Sequence, residues 1–262
     1  MKFALVNEQR QEAQPNLSGQ CPGCGRPTVA KCGEVRVRHW AHKGHRLCDP
    51  WWENETEWHR SWKNQFPDDC QEIVHSAEDG ERHIADVKTS DGWVIEFQHS
   101  NIRTDERRSR EAFYRSLIWV VDGLRRKRDG AHFSRAWGKG ESFYPSSSKR
   151  RVSSAEGALL RDWAGSRAHV FFDFGDEGPL WWLFPESDDM RAYVQHVSQM
   201  QFVRIHREQW ADGSSEFDSL VQNFSAFIAD YEPPPPTPRP RRSTEIPPHP
   251  NRSPIIRRSF RL

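Results

Sequence analysis

Asp86 and Glu96 are the two residues whose types and spacing point most directly to chemistry. They lie in the segment His83-Ile84-Ala85-Asp86-Val87-Lys88-Thr89-Ser90-Asp91-Gly92-Trp93-Val94-Ile95-Glu96-Phe97-Gln98, where two β-rich runs flank a Ser-Asp-Gly turn. A three-residue loop with Gly92 in the left-handed conformation sets Asp86 directly opposite Glu96. Opposed side chains share a face at a separation of about 5 Å. Period-2 alternation adds Gln98 to that face and sends Trp93, Ile95 and Phe97 to the other. A two-residue loop would instead pair Asp86 with Phe97 and dissolve the site. Like charges this close repel, and one protonates unless a cation lies between them. Oxygen donors favour Mg2+ or Mn2+. Such an ion binds a phosphate oxygen, lowers the pKa of a bound water and stabilises transition-state charge. Gln98 could orient that water or a phosphate oxygen. The alternative is a solvated hairpin face with scattered acids, but Ile84, Val87, Ile95 and Phe97 surround these two, and buried uncompensated carboxylates are costly.

A second cluster precedes it. Cys21-Pro22-Gly23-Cys24 is followed after fourteen residues by His39-Trp40-Ala41-His42. Two thiolates and two imidazoles in paired close spacing match a closed, structural zinc site with Cys21, Cys24, His39 and His42 as ligands. Cys32 or Cys48 could substitute, and the alternative is a polar loop. A small segment of this kind would draw its folding energy from the metal.

These residues need elements to position them. Asp49-Pro50 reads as a helix start. At 100° per residue, Trp51, Glu55, Trp58, His59 and Trp62 fall within about 100° of one another. Glu55, His59 and Lys63 then form an i, i+4, i+8 polar line beside a tryptophan stripe, or else an ordinary surface ladder. After the hairpin, Ser100 would cap a helix carrying Glu106, Arg110 and Tyr114. Arg110 could there grip a phosphate or simply pair with Glu106. Leu117–Val121 reads as a buried strand. Helix, two or three antiparallel strands, helix and strand together suit a mixed α+β or α/β core sheet flanked by helices.

Four sections follow from the pattern: residues 1–49, with a strand at Phe3–Val6 and the zinc module; 50–130, the core; 131–231, a C-terminal α/β section; and 232–262, a Pro/Arg-rich disordered tail. Residues 123–150 read as a basic, Gly- and Ser-rich connection. Strands are expected near 168–174 and 179–185, followed by two helices. The last of these, near 216–230, carries Phe217, Leu220, Val221, Phe224, Phe227 and Ile228 on one stripe.

The chain has 262 residues, 35% of them apolar, with 12 Trp and 15 Phe, so its core leans on aromatics. Leu117–Val121 is far too short for a membrane span. The N-terminus does not read as a signal peptide, which places the five cysteines as thiols or metal ligands in a cytoplasmic protein. The net charge of +1 is uneven: residues 233–262 carry seven Arg and one Glu, so the body is net acidic. An acidic body argues against indiscriminate backbone binding, and a nucleic-acid contact would need a local patch.

In order along the chain, CPGC, HWAH, the Glu55/His59/Lys63 set in NETEWHRSWK, HIADV, VIEFQHSNI, and a helix with Arg110 and Tyr114 resemble the CoiA-like competence nucleases. The resemblance covers roughly residues 15–122. It implies a small zinc-ribbon-like module joined to a restriction-endonuclease-like PD-(D/E)xK core that hydrolyses DNA phosphodiester bonds in DNA uptake, recombination or defence. On it, Asp86, Glu96 and Glu55 hold the catalytic Mg2+ or Mn2+, and Gln98 takes the place of the usual lysine. His59, Lys63, His83, Arg110 and Tyr114 are then substrate-side candidates, and DNA is the partner. Ala85, rather than the proline of the family pattern, precedes Asp86. A non-catalytic DNA-processing adaptor is the other function class, suggested by the missing lysine and the tail, and the tail prolines could also dock a protein partner.

Overall fold

A computed structural model describes residues 1–44, 51, 55–78, 80–143, 148–175, 178–185, 190–207 and 215–229. The expected helix start at Asp49-Pro50, the alternative ligand Cys48 and the tail 232–262 lie outside these residues.

The described residues form a mixed α+β structure of two sheets and six α-helices. The first sheet joins β1 (Phe3–Val6), β2 (Gln9–Glu12), β3 (Ser18–Gln20), β4 (Pro27–Lys31) and β5 (His39–His42) in the order β2-β1-β3-β4-β5, with antiparallel neighbours. The second has nine strands: β6 (Gln71–Ser76), β7 (Arg82–Lys88), β8 (Val94–Gln98), β9 (Leu117–Asp122), β10 (Glu141–Ser142), β11 (Lys149–Val152), β12 (His169–Asp173), β13 (Leu180–Leu183) and β14 (Ala192–Val197). Their order is β10-β11-β14-β13-β12-β9-β8-β7-β6. β9 runs parallel to both β8 and β12, and the other pairs are antiparallel.

Alternation along the central strands divides the core between the two faces of this sheet. Leu117, Trp119 and Val121 join Val170, Phe172, Leu183, Ala192 and Val194 on one face. Ile118, Val120, Phe171, Leu180 and Trp182 lie on the other. The first face is covered by α2 (Thr104–Phe113), α3 (Asp129–Lys139) and α4 (Ala158–Trp163), through Phe113, Phe133, Ala136, Leu159, Leu160 and Trp163. The second is covered by α1 (Glu57–Lys63), α5 (Gln199–Arg207) and α6 (Glu216–Ala229). The six-residue stripe expected on α6 faces this core in full.

Phe3–Val6, the buried β9 and the strands near 168–174 and 179–185 stand where the pattern put them. Other features differ. Residues 131–231 are no separate section, because β10–β14 extend the sheet that begins with β6. The supposed connection 123–150 contains α3, whose Phe133, Ala136 and Trp137 make a helical stripe that the neighbouring basic run masks. β14 is a strand that the pattern did not reveal. The helix carrying His59 starts later than expected: Thr56 is the N-cap and its side chain accepts from the His59 N–H, so Glu55 precedes the helix. Ser100 is not a cap, since α2 begins at Thr104 with Arg103 before it, and Tyr114 follows its last turn. Among the described residues, no helix is long and apolar enough to cross a membrane.

Candidate functional site

The hairpin has the three-residue loop. Val87 pairs with Ile95 and Lys88 with Val94. The Thr89 N–H bonds the Trp93 carbonyl at 2.8 Å, and Gly92 has φ +92°. Asp86 therefore lies opposite Glu96. Each carboxylate also reaches the other arm's backbone: the Phe97 N–H donates to Asp86 Oδ2 at 3.0 Å, and the Asp86 N–H meets Glu96 Oε1 at 3.4 Å.

The next strand adds a third acid. β6 pairs Gln71 with Val87 and Ile73 with Ala85, so Glu72 falls at the level of Asp86 on the side away from Glu96. Glu72 has φ +48°, a left-handed conformation unusual for a side-chain-bearing residue. Its carboxylate accepts the Lys2 and Phe3 N–H groups at 2.6 and 2.9 Å. Sequence reasoning missed it, since its place depends on the register between β6 and β7. An acid beside the apolar Ile73-Val74 pair was the one local signal.

Lys63 ties the acids together. Its buried ammonium lies 2.6 Å from Glu72 Oε1, 3.0 Å from Glu55 Oε1 and 3.9 Å from Asp86 Oδ1. Glu55 also receives a bidentate bond from Arg60, 2.7 Å to each oxygen. Burial alone would push these carboxyls up. For Glu55, Arg60 and Lys63 more than reverse that and hold it well below the usual carboxylate range. Lys63 does the same for Glu72, and His59 followed by Lys63 for Asp86. In return Lys63 is held above its ordinary value, because Glu72 and Glu55 outweigh the cost of burying it. His59 Nε2 sits 2.8 Å from Asp86 Oδ2, while its buried Nδ1 has no hydrogen-bond partner.

Glu96 is met by Arg110, Nη1 to Oε2 at 3.4 Å. Arg110 pairs with Glu106 as well, at 2.5 Å, and donates to the Trp51 carbonyl at 2.6 Å, so the expected Glu106 pair is present. Gln98 Nε2 is held by the Ser100 carbonyl at 3.2 Å. These groups line one cavity of about 60 Å³: Glu55, His59, Lys63, Glu72, Asp86, Glu96, Gln98, Arg110 and Tyr114, with Met1, Trp51, Ile84 and Phe97. A space of that size suits an ion with a water or two rather than a large ligand.

Two candidates are not assembled as expected. His83, three residues from Asp86, faces the other side of β7 by alternation; it stacks on Trp51 at 3.2 Å between centroids and does not line the cavity. Glu55 lines the cavity, but among the described residues it does not form a three-acid cluster with Asp86 and Glu96 tight enough for one ion, because it is turned toward Arg60 and Lys63.

The N-terminal cluster places Cys21, Cys24 and His42 so that their ligand atoms all lie within 4.8 Å of one another, an arrangement that could hold a metal ion. Cys24 Sγ is 3.3 Å from His42 Nε2, near the ~3.5 Å edge of a tetrahedron with bonds of about 2.3 and 2.0 Å. The knuckle is closed by the Cys21 N–H on the Arg26 carbonyl and by Gly25 at φ +70°. His39 is not a member of the group. In β5 residues three apart point to opposite faces, and His39 Nδ1 lies 2.9 Å from the Val37 carbonyl. Cys32 does not join the group either.

No protein-family model, curated protein or solved structure matches this chain.

Proposed function

We propose that the chain is a metal-dependent nuclease that hydrolyses DNA phosphodiester bonds, built on a restriction-endonuclease-like core. One observation carries the reading: Asp86 and Glu96 oppose one another across the β7–β8 hairpin and open, with Gln98, into a small cavity walled by Lys63, His59 and Arg110. The order α1, three antiparallel strands, α2 and the parallel β9 supports the core assignment.

The donor set suits a hard cation: carboxylate and amide oxygens in a space of a few waters. Asp86 and Glu96 would hold Mg2+ or Mn2+, which when bound supplies Lewis acidity at the phosphate and an acidified water. The protein's own groups do the rest. Lys63 and His59 keep Asp86 ionised, Arg110 fixes Glu96, and Gln98, anchored on Ser100, orients the water or a phosphate oxygen. Cys21, Cys24 and His42 bind zinc, which orders the first sheet.

The adaptor reading has a specific observation in its favour, since each acid already has a protein cation within 4 Å. Incubation with linear, circular and single-stranded DNA, with and without Mn2+, separates the two. The wild type should cut; Asp86→Ala and Glu96→Ala should not, with their zinc content unchanged. DNA binding without cutting by the wild type, or equal cutting by the variants, refutes the nuclease.

A further inference from the structure

Arg103, the residue just before α2, and Arg107 and Arg110 within it are spaced i, i+4 and i+7, along one side of the helix. Arg110, at one end, touches Glu96. At the other end, Arg103 and Arg107 line a separate cavity of about 570 Å³, together with Arg108, Arg125, Asn101 and Trp163. Two aspartates also line it, and both have cationic partners: Asp105 pairs with Arg103, and Asp162 with Arg126. Four arginines against two acids leave the cleft electropositive within an acidic body.

Arg107 is buried, yet its Nε has no hydrogen-bond partner. Its Nη1 donates to the Trp163 carbonyl at 3.3 Å, its guanidinium lies 5.5 Å from the Trp163 ring, and Glu111 is 3.8 Å away. Burial, with Arg108 adding to it, holds Arg107 below its ordinary value despite Glu111. Burial and the neighbouring Arg126 do the same to Arg125. Arg107 Nε is left without a hydrogen bond, and an anion in the cleft would supply one. The cleft also adjoins the start of α2, where no side chain caps the helix.

We propose that this cleft binds the phosphodiester backbone of a DNA strand, on phosphates next to the one presented at Asp86 and Glu96. The substrate class rests on the nuclease reading. The spacing fits it: from Arg103 to Arg110 the helix advances about 10 Å, a span of the order of one or two backbone phosphates. Guanidinium groups are matched to phosphate oxygens.

The test is fluorescence anisotropy of a labelled DNA duplex with the full chain, no divalent ion added, across a range of salt. The variant Arg103→Gln/Arg108→Gln/Arg125→Gln removes exposed and half-buried side chains and should fold. It should weaken binding about tenfold or more and lower the slope of log K against log salt by about one for each phosphate that is no longer neutralised. Lys127→Gln/Arg128→Gln, exposed charges of the adjoining basic run, should leave the slope unchanged. The proposal is overturned if the triple variant keeps its slope and affinity, if the control lowers the slope equally, or if the wild type does not bind. Binding that depends on the cleft without any Mn2+-dependent cutting would sink the nuclease and leave the cleft standing.

Discussion

Replacing Lys63 with methionine tests the electrostatic logic of the site. Methionine keeps the length and volume of the side chain, so packing changes little, but Glu55, Glu72 and Asp86 lose a buried ammonium at 3.0, 2.6 and 3.9 Å. Breaking a buried pair by removing one partner costs about 3–5 kcal/mol. For a chain of this size that is a fall in melting temperature of about 6–20 °C. The pH dependence carries the sharper information. Glu72 and Asp86 are held below their ordinary values in the folded protein. In the wild type their contribution is therefore present above the usual carboxylate range and is lost as pH falls below that range through their lowered values. In the variant, burial is no longer opposed by Lys63 and Glu72 is pushed up. The penalty is then largest near neutral pH and is relieved as the acid protonates. Urea or thermal unfolding of both proteins, loaded with zinc, should show a gap that narrows between about pH 7 and about pH 4.5. A loss under about 1 kcal/mol at neutral pH, or a gap independent of pH, refutes the account of Lys63 as the common counter-charge.

Other expectations are more local. Cys24→Ser and His42→Ala should each lose most of the bound zinc, measured as metal per chain, whereas His39→Ala should keep it; retention by the first two would rule out the knuckle as the metal site. Gly92→Val places a β-branched residue at φ +92° and should cost about 1–3 kcal/mol; unchanged stability would mean the turn does not hold that geometry. His206 and His169 are buried and held neutral, their values lowered by burial to about 4 and about 3. The unfolded chain takes up protons as pH falls through about 6.5 and the folded one does not, so stability is full above that pH and falls below it, by up to about 1.4 kcal/mol per unit for each group. A urea midpoint flat between about pH 6.5 and about pH 5, or unchanged in slope by His206→Gln, would contradict this.

The hairpin register is legible in the sequence because it is a local property: one glycine with positive φ and an alternating pattern on each side fix which residues oppose. The α6 stripe is legible for the same reason. What escapes depends on pairing at a distance. Glu72 becomes part of the site only through the β6–β7 ladder, and the sheet passes the expected boundary at residue 130 because β12 runs parallel to β9. The remaining differences turn on local signals that admit two readings. HWAH supplies two ligands if it is a knuckle but only one as strand β5. Asp49-Pro50 has the residue types of a helix start, but Thr56 is an equally good cap much closer to His59.

The N-terminal sheet belongs to the site rather than standing beside it. The Lys2 and Phe3 N–H groups hold the Glu72 carboxylate, and the Lys2 ammonium bonds Asn64 just after α1, Asp68 and Gln71 at 2.9, 2.9 and 3.1 Å. The Cys21/Cys24/His42 knuckle presses from another side. A side chain at Gly23 would come within 3.3 Å of Ile84, two residues before Asp86 on the same face of β7. Four acids from the α1 approach, β6, β7 and β8 thus converge on cations supplied by the protein, chiefly Lys63, Arg60 and Arg110. Their mutual repulsion is largely offset without a divalent ion in the cavity, so the fold of the hairpin does not depend on one. The first sheet has a much smaller core, around Ala4, Ala13, Cys21 and Trp40, and must lean more heavily on the knuckle. On the proposed reading, zinc loss should therefore act through Gly23 and Ile84 on the position of Asp86, whereas Mg2+ or Mn2+ would enter and leave a site that is already formed.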